Sequence, residues 1–455
     1  MTIKSVNPYT GQLLKRYDEL TVEEIDGKLD LAEKAYREWR CLNFDDRALA
    51  LRQVSRLLRK DQEVYARLIA SEMGKPLCEG RSEIEKCAWV CEFYADNTAT
   101  FLKSEEVIAD AIWSRVVFQP LGVVLAVMPW NFPFWQVFRF VAPALMAGNV
   151  VVLKHASNVP GCAVALEKIM LSAGFSRGIF QSLLISSPLV DYLLESPTVK
   201  AVTLTGSTPA GKAVAAKAGS ELKKGVFELG GSDPYLILDD IDLTETVESC
   251  VASRLINGGQ SCVSAKRFIV LEELKAAFES LMVEKMDSYR MGDPCTAGVL
   301  LGPQARHDLR DQLHDQVCRS IAEGASLALG GFIPGLTGAF YPPTVLCDVA
   351  KGMPAYEEEM FGPVAAIICA HDEDDAIRIA NDTPFGLGAS VYTSDLAQAE
   401  RVASKIEAGN CFINGFVRSD PRLPFGGIKQ SGYGRELSAY GIREFVNIKT
   451  VCRVK

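Results

Sequence analysis

One cysteine has the surroundings expected of a nucleophile. Cys262 ends the segment Asn257–Cys262, which reads NGGQSC and should form a flexible polar loop. The chain has 13 cysteines, and a cysteine is by default a small, buried, inert residue. The residues that follow, VSAKR, are predicted to begin a helix, and the N-terminal amides of a helix favour a thiolate over a thiol. The segment therefore predicts a nucleophile at Cys262, with an inert thiol as the alternative.

A single carboxylate precedes a pair of glycines in the segment Lys223–Gly231, which reads KKGVFELGG. The apolar Val226 and Phe227 come just before Glu228 and should bury it in part. Burial penalises the charged form of a carboxyl group, raises its pKa towards neutrality and suits the group to accept a proton. Glu228 is therefore a candidate general base, and a cap for a neighbouring element is the plainer interpretation.

An asparagine lies between two prolines in the segment Met128–Pro133, which reads MPWNFP. Asparagine in such a position commonly shapes a turn. The side-chain amide of Asn131 could instead donate a hydrogen bond to an oxyanion, beside the backbone N–H of a nucleophile. Both interpretations stay open from the residues alone.

Two further segments are candidates for binding a dinucleotide. Lys154 follows the predicted strand Val150–Leu153, where an acidic residue would hydrogen-bond the ribose of NAD. Only Lys154 and Ser157 are present there, and they would accept the 2′-phosphate of NADP, although a solvated lysine is the plainer interpretation. The segment Thr205–Gly211, TGSTPAG, should turn from a strand into a helix and place Ser207 near a pyrophosphate. The fingerprint G-x-G-x-x-G is missing, so this second signal is weak.

The pattern of the chain predicts an α/β scaffold for these residues. Short β-rich runs alternate with helical stretches between Gly122 and Gly231, which is typical of a doubly wound parallel sheet. The alternation resumes after Tyr235 and predicts a second α/β domain. Helical patterns fill the first hundred residues, and the first of them follows a capping box at Thr21 and Glu24. The predicted strands are Val123–Met128, Val150–Leu153, Phe180–Leu184, Ala201–Thr205, Phe268–Leu271, Val364–Cys369 and Ser390–Tyr392, and two further predicted helical patterns are Arg47–Ser71 and Arg81–Phe101.

Composition narrows the classes of function. With 455 residues, 48% of them apolar, the chain should form two or three globular domains. Its net charge of −9 disfavours nucleic-acid and membrane-surface roles. Prolines interrupt the uncharged run Val116–Phe138, which argues against a transmembrane helix. No targeting segment is visible at the start, so we expect a cytoplasmic protein with reduced thiols, and its four histidines form no ligand-spaced cluster that would predict a metal.

Seven motifs in this order resemble the aldehyde dehydrogenase superfamily over almost the whole chain. They are PWNFP, KHAS, TGSTPAG, FELGG, NGGQSC, EEEMFGPV and PFGGIKQSGYGRE. The resemblance implies a doubly wound coenzyme-binding domain of residues 1–100 and 121–231 and an α/β catalytic domain of residues 232–432. It also implies a small β oligomerisation element of residues 101–120 and 433–455, in a homodimer or homotetramer.

The resemblance also implies roles for the candidate residues. Cys262 would be the nucleophile that attacks an aldehyde, Glu228 the general base, and Asn131 with the Cys262 amide the oxyanion hole. NADP would be the coenzyme, with NAD as the second choice. The residues expected to bind it are Trp130, Lys154, Ser157, Thr205, Gly206, Ser207, Glu359 and Phe361.

One arginine suggests the substrate. Arg139 lies eight residues after Asn131 and is the only charged residue between Val116 and Leu153. A guanidinium directed into an aldehyde tunnel would bind the far carboxylate of the substrate, and arginine at this offset resembles the succinate-semialdehyde dehydrogenase branch of the superfamily. Ser419 would add a hydroxyl donor. A structural ion pair is the plainer interpretation of Arg139.

Two departures from that branch are visible. Some of its members carry a second arginine six residues before the nucleophile, where this chain has Ile256, and some carry a second cysteine two residues after the nucleophile, where this chain has Ser264. Three alternatives stay open: oxidation of another small aldehyde, a cysteine acyltransferase or thioesterase without coenzyme, and a non-catalytic descendant of the fold. The presence of both Cys262 and Glu228 argues against the last.

Overall fold

The computed structural model describes residues 2–239 and 241–454. Its strands are β1 (Thr2–Val6), β2 (Leu13–Asp18), β3 (Glu105–Glu106), β4 (Trp113–Pro120), β5 (Val123–Met128), β6 (Val150–His155), β7 (Phe180–Ser182), β8 (Val199–Thr205), β9 (Lys224–Glu228), β10 (Asp233–Ile237), β11 (Ala265–Leu271), β12 (Ser326–Leu329), β13 (Thr344–Cys347), β14 (Val364–Ala370), β15 (Phe385–Gly386), β16 (Gly388–Tyr392), β17 (Asn410–Ile413), β18 (Ile428–Lys429), β19 (Gly432–Tyr433) and β20 (Val446–Arg453). Its helices are α1 (Val22–Trp39), α2 (Phe44–Lys60), α3 (Gln62–Met73), α4 (Leu77–Phe101), α5 (Trp135–Met146), α6 (Pro160–Ser172), α7 (Leu189–Glu195), α8 (Thr208–Ser220), α9 (Leu243–Leu255), α10 (Glu272–Asp287), α11 (His307–Ala322), α12 (Pro354–Glu357), α13 (Glu373–Asn381), α14 (Leu396–Lys405) and α15 (Ser438–Glu444), and a 3-10 turn spans Ile256–Gly259.

The N-terminal helices follow the sequence pattern with one difference. The capping box at Thr21 and Glu24 is present, and α1 buries the predicted stripe from Ile25 to Trp39. The pattern predicted over Arg47–Ser71 is two helices, α2 and α3, which meet at Asp61. Aspartate has a low helix propensity, and here it both ends α2 and begins α3. Helix α4 then packs against α2, α3 and α5.

The first sheet is doubly wound, as predicted. Its strand order is β19-β9-β8-β5-β6-β7, and all the pairs are parallel except the short edge pair of β19 with β9. The chain runs from β5 outward through β6 and β7, then returns to the other side of β5 with β8 and β9. The order therefore reverses between β5 and β8, and ligands of doubly wound sheets bind at the carboxyl ends of the strands beside such a switch point.

The second sheet has the order β12-β13-β14-β11-β10-β16-β17, parallel apart from β12. It confirms the second α/β unit. It also shows that the helix predicted to start after Cys262 is wrong, because Ala265–Leu271 is strand β11 and pairs with both β10 and β14. Every residue of β11 is buried, and its apolar end FIVL suits the centre of a sheet.

A third sheet, β20-β4-β3, is antiparallel and comes from segments within residues 101–120 and 433–455. Apolar side chains are exposed on and beside it, among them Ile108, Ile112 and Ile448. The pairing of β19 with β9 brings Gly432–Tyr433 to the first sheet, so the domain boundaries drawn from the sequence stay a prediction. None of the helices in the described chain is long and apolar enough to cross a membrane.

Candidate active site

The loop before Cys262 has a backbone that few residue types can adopt. Asn257, Gly258 and Gly259 are consecutive residues with positive φ, at 54°, 62° and 74°. A Cβ atom on Gly259 would overlap the backbone of Gly362. Positive φ favours glycine and, among the other residues, asparagine, which explains the letters NGG in this motif.

Two buried cations bind the backbone carbonyls of the loop Asn257–Cys262. The Lys266 ammonium donates to the backbone oxygens of Ser261 and Cys262 at 3.0 and 2.8 Å. Arg254 donates to the carbonyl of Gly259 at 2.7 Å. Both side chains are almost completely buried. Each replaces the solvent that the loop carbonyls would otherwise need, and so fixes the path of the backbone that carries the Cys262 sulfur.

Cys262 lies between two cavities. One of about 350 Å³ lies on the side of α4 and α5, and the other, of about 540 Å³, lies at the carboxyl ends of the first sheet. Of the residues described, only Cys262 and Gln136 line both. We call them the α4 cavity and the sheet-end cavity. A thiol in this position can react with a molecule in one cavity while a second molecule occupies the other.

The Cys262 thiol does not have the low pKa that a helix N-terminus would give it. Burial raises its pKa to about 12, while the positive charges of Arg139 and Lys266 act in the opposite direction. The thiol is therefore protonated near neutral pH. A base must accept its proton when the sulfur attacks.

Asn131 lies beside the loop Asn257–Cys262, which we call the nucleophile loop. Its side-chain Nδ2 donates to the carbonyl of Gln260 at 3.0 Å, and its backbone oxygen accepts from the Asn257 side chain at 2.8 Å. An amide nitrogen carries two hydrogens, so one remains for a ligand. Asn131 lines the sheet-end cavity together with Cys262, and its role as an oxyanion donor stays a proposal.

Glu228 is the last residue of β9 and is 2% exposed. Burial and the neighbouring Glu436 carboxylate raise its pKa well above the ordinary range, while Arg139 and Arg435 act in the opposite direction. A Cβ atom on Gly426 would come within 2.6 Å of its Oε1, so the carboxyl group points to that side. In the described chain Glu228 lines neither of the two cavities, and its role as the base stays a proposal.

The sheet-end cavity gathers most of the residues predicted to bind coenzyme. It lies at the switch point, between the ends of β5 and β8. The Trp130 and Phe361 rings meet there edge to face at 5.8 Å. Ser207 caps helix α8, since its hydroxyl accepts from the Ala210 N–H at 3.5 Å. Six of the eight predicted residues line this cavity: Trp130, Thr205, Gly206, Ser207, Glu359 and Phe361.

Glu359 already has protein partners. Its Oε1 accepts from the backbone N–H of Gly231 at 3.0 Å and lies 3.6 Å from the Lys266 ammonium. Lys266 thus connects this wall of the cavity to the loop of Cys262. Binding of a ribose by Glu359 stays a proposal.

Lys154 and Ser157 do not line the sheet-end cavity. Lys154 is the next-to-last residue of β6, is 8% exposed, and its ammonium donates to the Ser187 hydroxyl at 3.5 Å. Burial lowers its pKa, and within the described ranges no carboxylate pairs with it. Ser157 is exposed in the turn before α6. An ammonium without a carboxylate and an exposed hydroxyl three residues further along the chain suit a phosphate group, so these residues fit the adenosine end of NADP.

The α4 cavity contains both residues predicted to bind substrate, but Arg139 differs from the expectation. Its guanidinium is ion-paired with Glu436, both side chains are 2% exposed, and it lies over the Phe425 ring at 4.8 Å. The anion that compensates this buried arginine is therefore in the protein. Ser419, in contrast, accepts a hydrogen bond from Lys86 at 2.8 Å. Arg139 adds positive charge to the cavity wall, and direct binding of a substrate by its guanidinium stays a proposal.

We expect Arg139→Ala to destabilise the protein and to impair the oxidation of charged and uncharged aldehydes alike. The substitution leaves the Glu436 carboxylate buried beside Glu228 without its cation. Such losses cost about 3–5 kcal/mol, and we expect about 3 because Glu436, whose pKa is raised by burial, can take up a proton. Urea unfolding and kcat/KM on both kinds of aldehyde measure this, with the Arg139→Met/Glu436→Gln double variant as the control that recovers stability. A loss of kcat/KM confined to the acidic aldehyde would instead indicate that Arg139 binds the substrate directly.

Sequence reasoning missed Lys86, Lys266 and Glu436. Lys86 belongs to a helix with several charged residues, and nothing local distinguishes it from a solvated one. Lys266 follows the nucleophile by four residues, but its burial depends on the second sheet. Glu436 lies in the last of the seven motifs, which was a signal for a role near the site. Across residues 2–239 and 241–454, no group of three or more His, Cys, Asp or Glu side chains could hold a metal ion.

A doubly wound sheet with a cavity at its switch point is typical of an enzyme that binds a nucleotide coenzyme, and a cysteine between that cavity and a second one is suited to act as a nucleophile. The chain belongs to the aldehyde dehydrogenase family, whose profile matches residues 1–451. The family predicted from the seven motifs is thereby confirmed.

Similar proteins include several with named activities. A Mycobacterium leprae protein named succinate-semialdehyde dehydrogenase, NADP(+), is 46% identical over 454 residues, which cover 99% of each chain. The Escherichia coli succinate semialdehyde dehydrogenase Sad, whose name specifies NAD(P)+, is 45% identical over 98% of this chain and 97% of its own. The solved structure of succinic semialdehyde dehydrogenase from Streptococcus pyogenes, in complex with NADP+, matches with a TM-score of 0.98 and 38% identity, over 100% of both chains.

Proposed function

We propose that this enzyme oxidises a short aldehyde with a distal carboxylate, succinate semialdehyde first, with NADP as coenzyme. The observation that carries the proposal is the α4 cavity, which adjoins Cys262 and contains the Lys86–Ser419 pair among largely apolar walls. A desolvated ammonium and a hydroxyl are suited to an anion, and an apolar wall is suited to a short carbon chain. The names of the similar proteins support the same substrate and coenzyme.

The residues of the chain divide the reaction between them. The Cys262 sulfur adds to the aldehyde carbon as its proton leaves for a base, and the oxygen that becomes negative is held by the Asn131 side chain and the Cys262 amide. Bound NADP supplies a hydride acceptor in the sheet-end cavity. Glu228 then takes a proton from water, which attacks the thioester and releases the acid with the thiol restored.

A panel of aldehydes tests the proposal. We would measure the appearance of reduced coenzyme with succinate semialdehyde and with butanal, which has the same chain length without the carboxylate, each with NADP and with NAD. The expected result is a kcat/KM that is highest for succinate semialdehyde with NADP. Equal rates on the two aldehydes would instead favour a general small-aldehyde dehydrogenase. Thioester hydrolysis with no coenzyme-dependent oxidation would favour the thioesterase alternative.

We expect Ser157→Glu to reverse the preference for NADP. The new carboxylate would repel a 2′-phosphate near Lys154 and could accept a hydrogen bond from the 2′-hydroxyl of NAD. The Kd for NADP should rise at least about tenfold, while the Kd for NAD stays level or falls. Fluorescence titrations measure both constants, and Ser157→Gln provides the neutral control of similar size. A wild-type protein that binds NAD more tightly than NADP would contradict the coenzyme assignment.

We further propose a homodimer or homotetramer formed through the third sheet. The exposed apolar side chains near it, and the unpaired outer edges of β3 and β20 in the described chain, support this surface as the interface. Sedimentation equilibrium of the full chain would test it. The cytoplasmic location expected from the sequence stays a prediction.

A further inference from the structure

One lysine on α4 faces the α4 cavity. Lys86 lies seven residues after Glu79 and four after Ser82, so the three share one face of the helix, and all of them line the cavity. The Lys86 ammonium donates to the Ser419 hydroxyl at 2.8 Å and lies 4.3 Å from the centre of the Trp135 ring. The side chain is thus positioned from both sides without a carboxylate.

The charges around Lys86 leave it without an anion. Asp420, the nearest acidic residue along the loop, is bound by Arg422 at 2.6 Å. Glu83, also in the cavity wall, is paired with Lys75 and accepts the N–H groups of Phe134 and Trp135. In the described part of the chain, no carboxylate lies within ion-pair distance of the Lys86 ammonium.

The two other cations of the cavity wall are less suited to a ligand. Arg139 is neutralised by Glu436. Arg418 is exposed, so water screens its charge. Among the cations of this cavity wall, Lys86 is therefore the one that is partly desolvated and has no carboxylate partner in the described chain.

The hydrogen bond between Lys86 and Ser419 leaves donors free on both side chains. An ammonium has three N–H donors, and Ser419 uses one of those of Lys86. The Ser419 oxygen accepts that bond, so its own hydrogen remains to donate. Two N–H groups and one O–H group thus stay available at one place in the cavity, and a carboxylate oxygen accepts from both kinds of donor.

We propose that Lys86 determines the specificity of the enzyme for acidic aldehydes, because its ammonium, together with the Ser419 hydroxyl, binds the distal carboxylate of the substrate. The inference rests on the proposed function and deepens it. It assigns the main contact of the carboxylate to a residue of α4, and leaves to Arg139 the stabilisation of Glu436.

The pH dependence offers a readout that a purely structural role would not change. Burial, with the nearby charges of Arg139 on α5 and Arg418 on the loop after β17, lowers the pKa of Lys86 to about 8, while Asp420 and the Cys87 thiol act in the opposite direction. Lys86 is charged below that pKa and neutral above it. Glu79, which lines the same cavity, has a pKa that burial raises to about 7, so its deprotonation also opposes an anionic substrate. The KM for succinate semialdehyde should therefore rise as the pH increases from about 7 to about 8, the part of the rise near 8 should be lost in Lys86→Met, and the KM for butanal should not follow.

The test compares Lys86→Met, Lys86→Arg and the wild type on both aldehydes. Methionine keeps most of the volume and the apolar contact with Trp135 but removes the charge. We expect kcat/KM for succinate semialdehyde to fall by about 30- to 1,000-fold, mainly through KM, while kcat/KM for butanal stays within about threefold. Lys86→Arg should recover most of the loss, since it restores the charge. Lys34→Met, which removes an exposed lysine on α1, is the matched control and should resemble the wild type.

The outcomes distinguish a failure of the role of Lys86 from a failure of the proposed function. If the wild type prefers succinate semialdehyde but Lys86→Met retains that preference, the role of Lys86 is overturned and the proposed function stands. If Lys86→Met loses equally on both aldehydes, or its melting temperature falls and the pH dependence of KM is unchanged, Lys86 is structural and the inference fails. If the wild type does not prefer succinate semialdehyde to butanal, the proposed function itself fails.

Discussion

Cys262→Ala is expected to reduce aldehyde oxidation by on the order of 10⁴-fold or more, because in the proposed mechanism the covalent intermediate forms on the Cys262 sulfur. The sulfur contributes little to the sheet-end cavity, whose walls come mainly from the ends of β5 and β8 and from the segment around Glu359. Coenzyme affinity should therefore change by less than about threefold. Steady-state kinetics with succinate semialdehyde and a titration with NADP measure the two effects separately.

Cys78→Ala is the matched control for this prediction. Cys78 is an exposed thiol on α4 that lines the same cavity as Cys262, so it tests whether any thiol in that cavity suffices. We expect Cys78→Ala to keep nearly the full rate. Substantial oxidation by Cys262→Ala, or loss of oxidation in Cys78→Ala, would contradict the assignment of Cys262 as the nucleophile.

The parts of the fold that could be predicted from the sequence are those that local pattern determines. The strand Val123–Met128 is continuously apolar because it is buried on both faces, and the structure has the same bounds. The NGG of the nucleophile loop is explained by positive φ at three residues. In both cases the residue types within the segment carry the signal, although the contacts that require them, such as Gly362 against Gly259, come from elsewhere in the chain.

The start of β11, just after Cys262, could not be predicted in this way. The pattern predicts a strand only over Phe268–Leu271, because two charged residues conceal the part that comes before it. Lys266 and Arg267 interrupt the apolar pattern and suggest an exposed helix end. Both are buried: Lys266 donates to carbonyls of the nucleophile loop, and Arg267 donates to the backbone oxygens of Ser232, Ile379 and Ala380. Buried charges are tolerated when such partners satisfy them. Those of Arg267 come from distant parts of the chain, so no local rule reveals them.

The α4 cavity shows the same limit for function. Arg139 stands out in the sequence as the only charge in an apolar stretch, but its anion, Glu436, comes from the far end of the chain. Lys86 has no such local signal, although its partner Ser419 is among the predicted substrate-binding residues. The two residues predicted from the sequence to bind substrate, one cation and one hydroxyl, do line the same cavity. Which cation is free for a ligand depends on pairings that only the folded chain establishes.

Glu228→Gln should separate the two halves of the reaction. Glutamine keeps the shape of the side chain but cannot accept a proton from water, so hydrolysis of the thioester should slow by about 10³- to 10⁴-fold. Hydride transfer in the first turnover should be retained in part. Rapid mixing of the variant with NADP and succinate semialdehyde should therefore give at most one reduced coenzyme per subunit, followed by almost no turnover. Glu221→Gln, at an exposed carboxylate near the start of β9, is the matched control.

The pH profile makes the assignment of the base more specific. Burial and the Glu436 carboxylate raise the pKa of Glu228, so the base is protonated and inactive at low pH, and wild-type kcat should rise as the pH increases through that raised pKa. The residual turnover of Glu228→Gln should lack this rise, because glutamine does not titrate. Steady turnover at the wild-type rate would remove Glu228 from the reaction. Loss of the first-turnover burst as well would place it at the earlier step, where it accepts the proton of a Cys262 thiol whose pKa burial has raised to about 12.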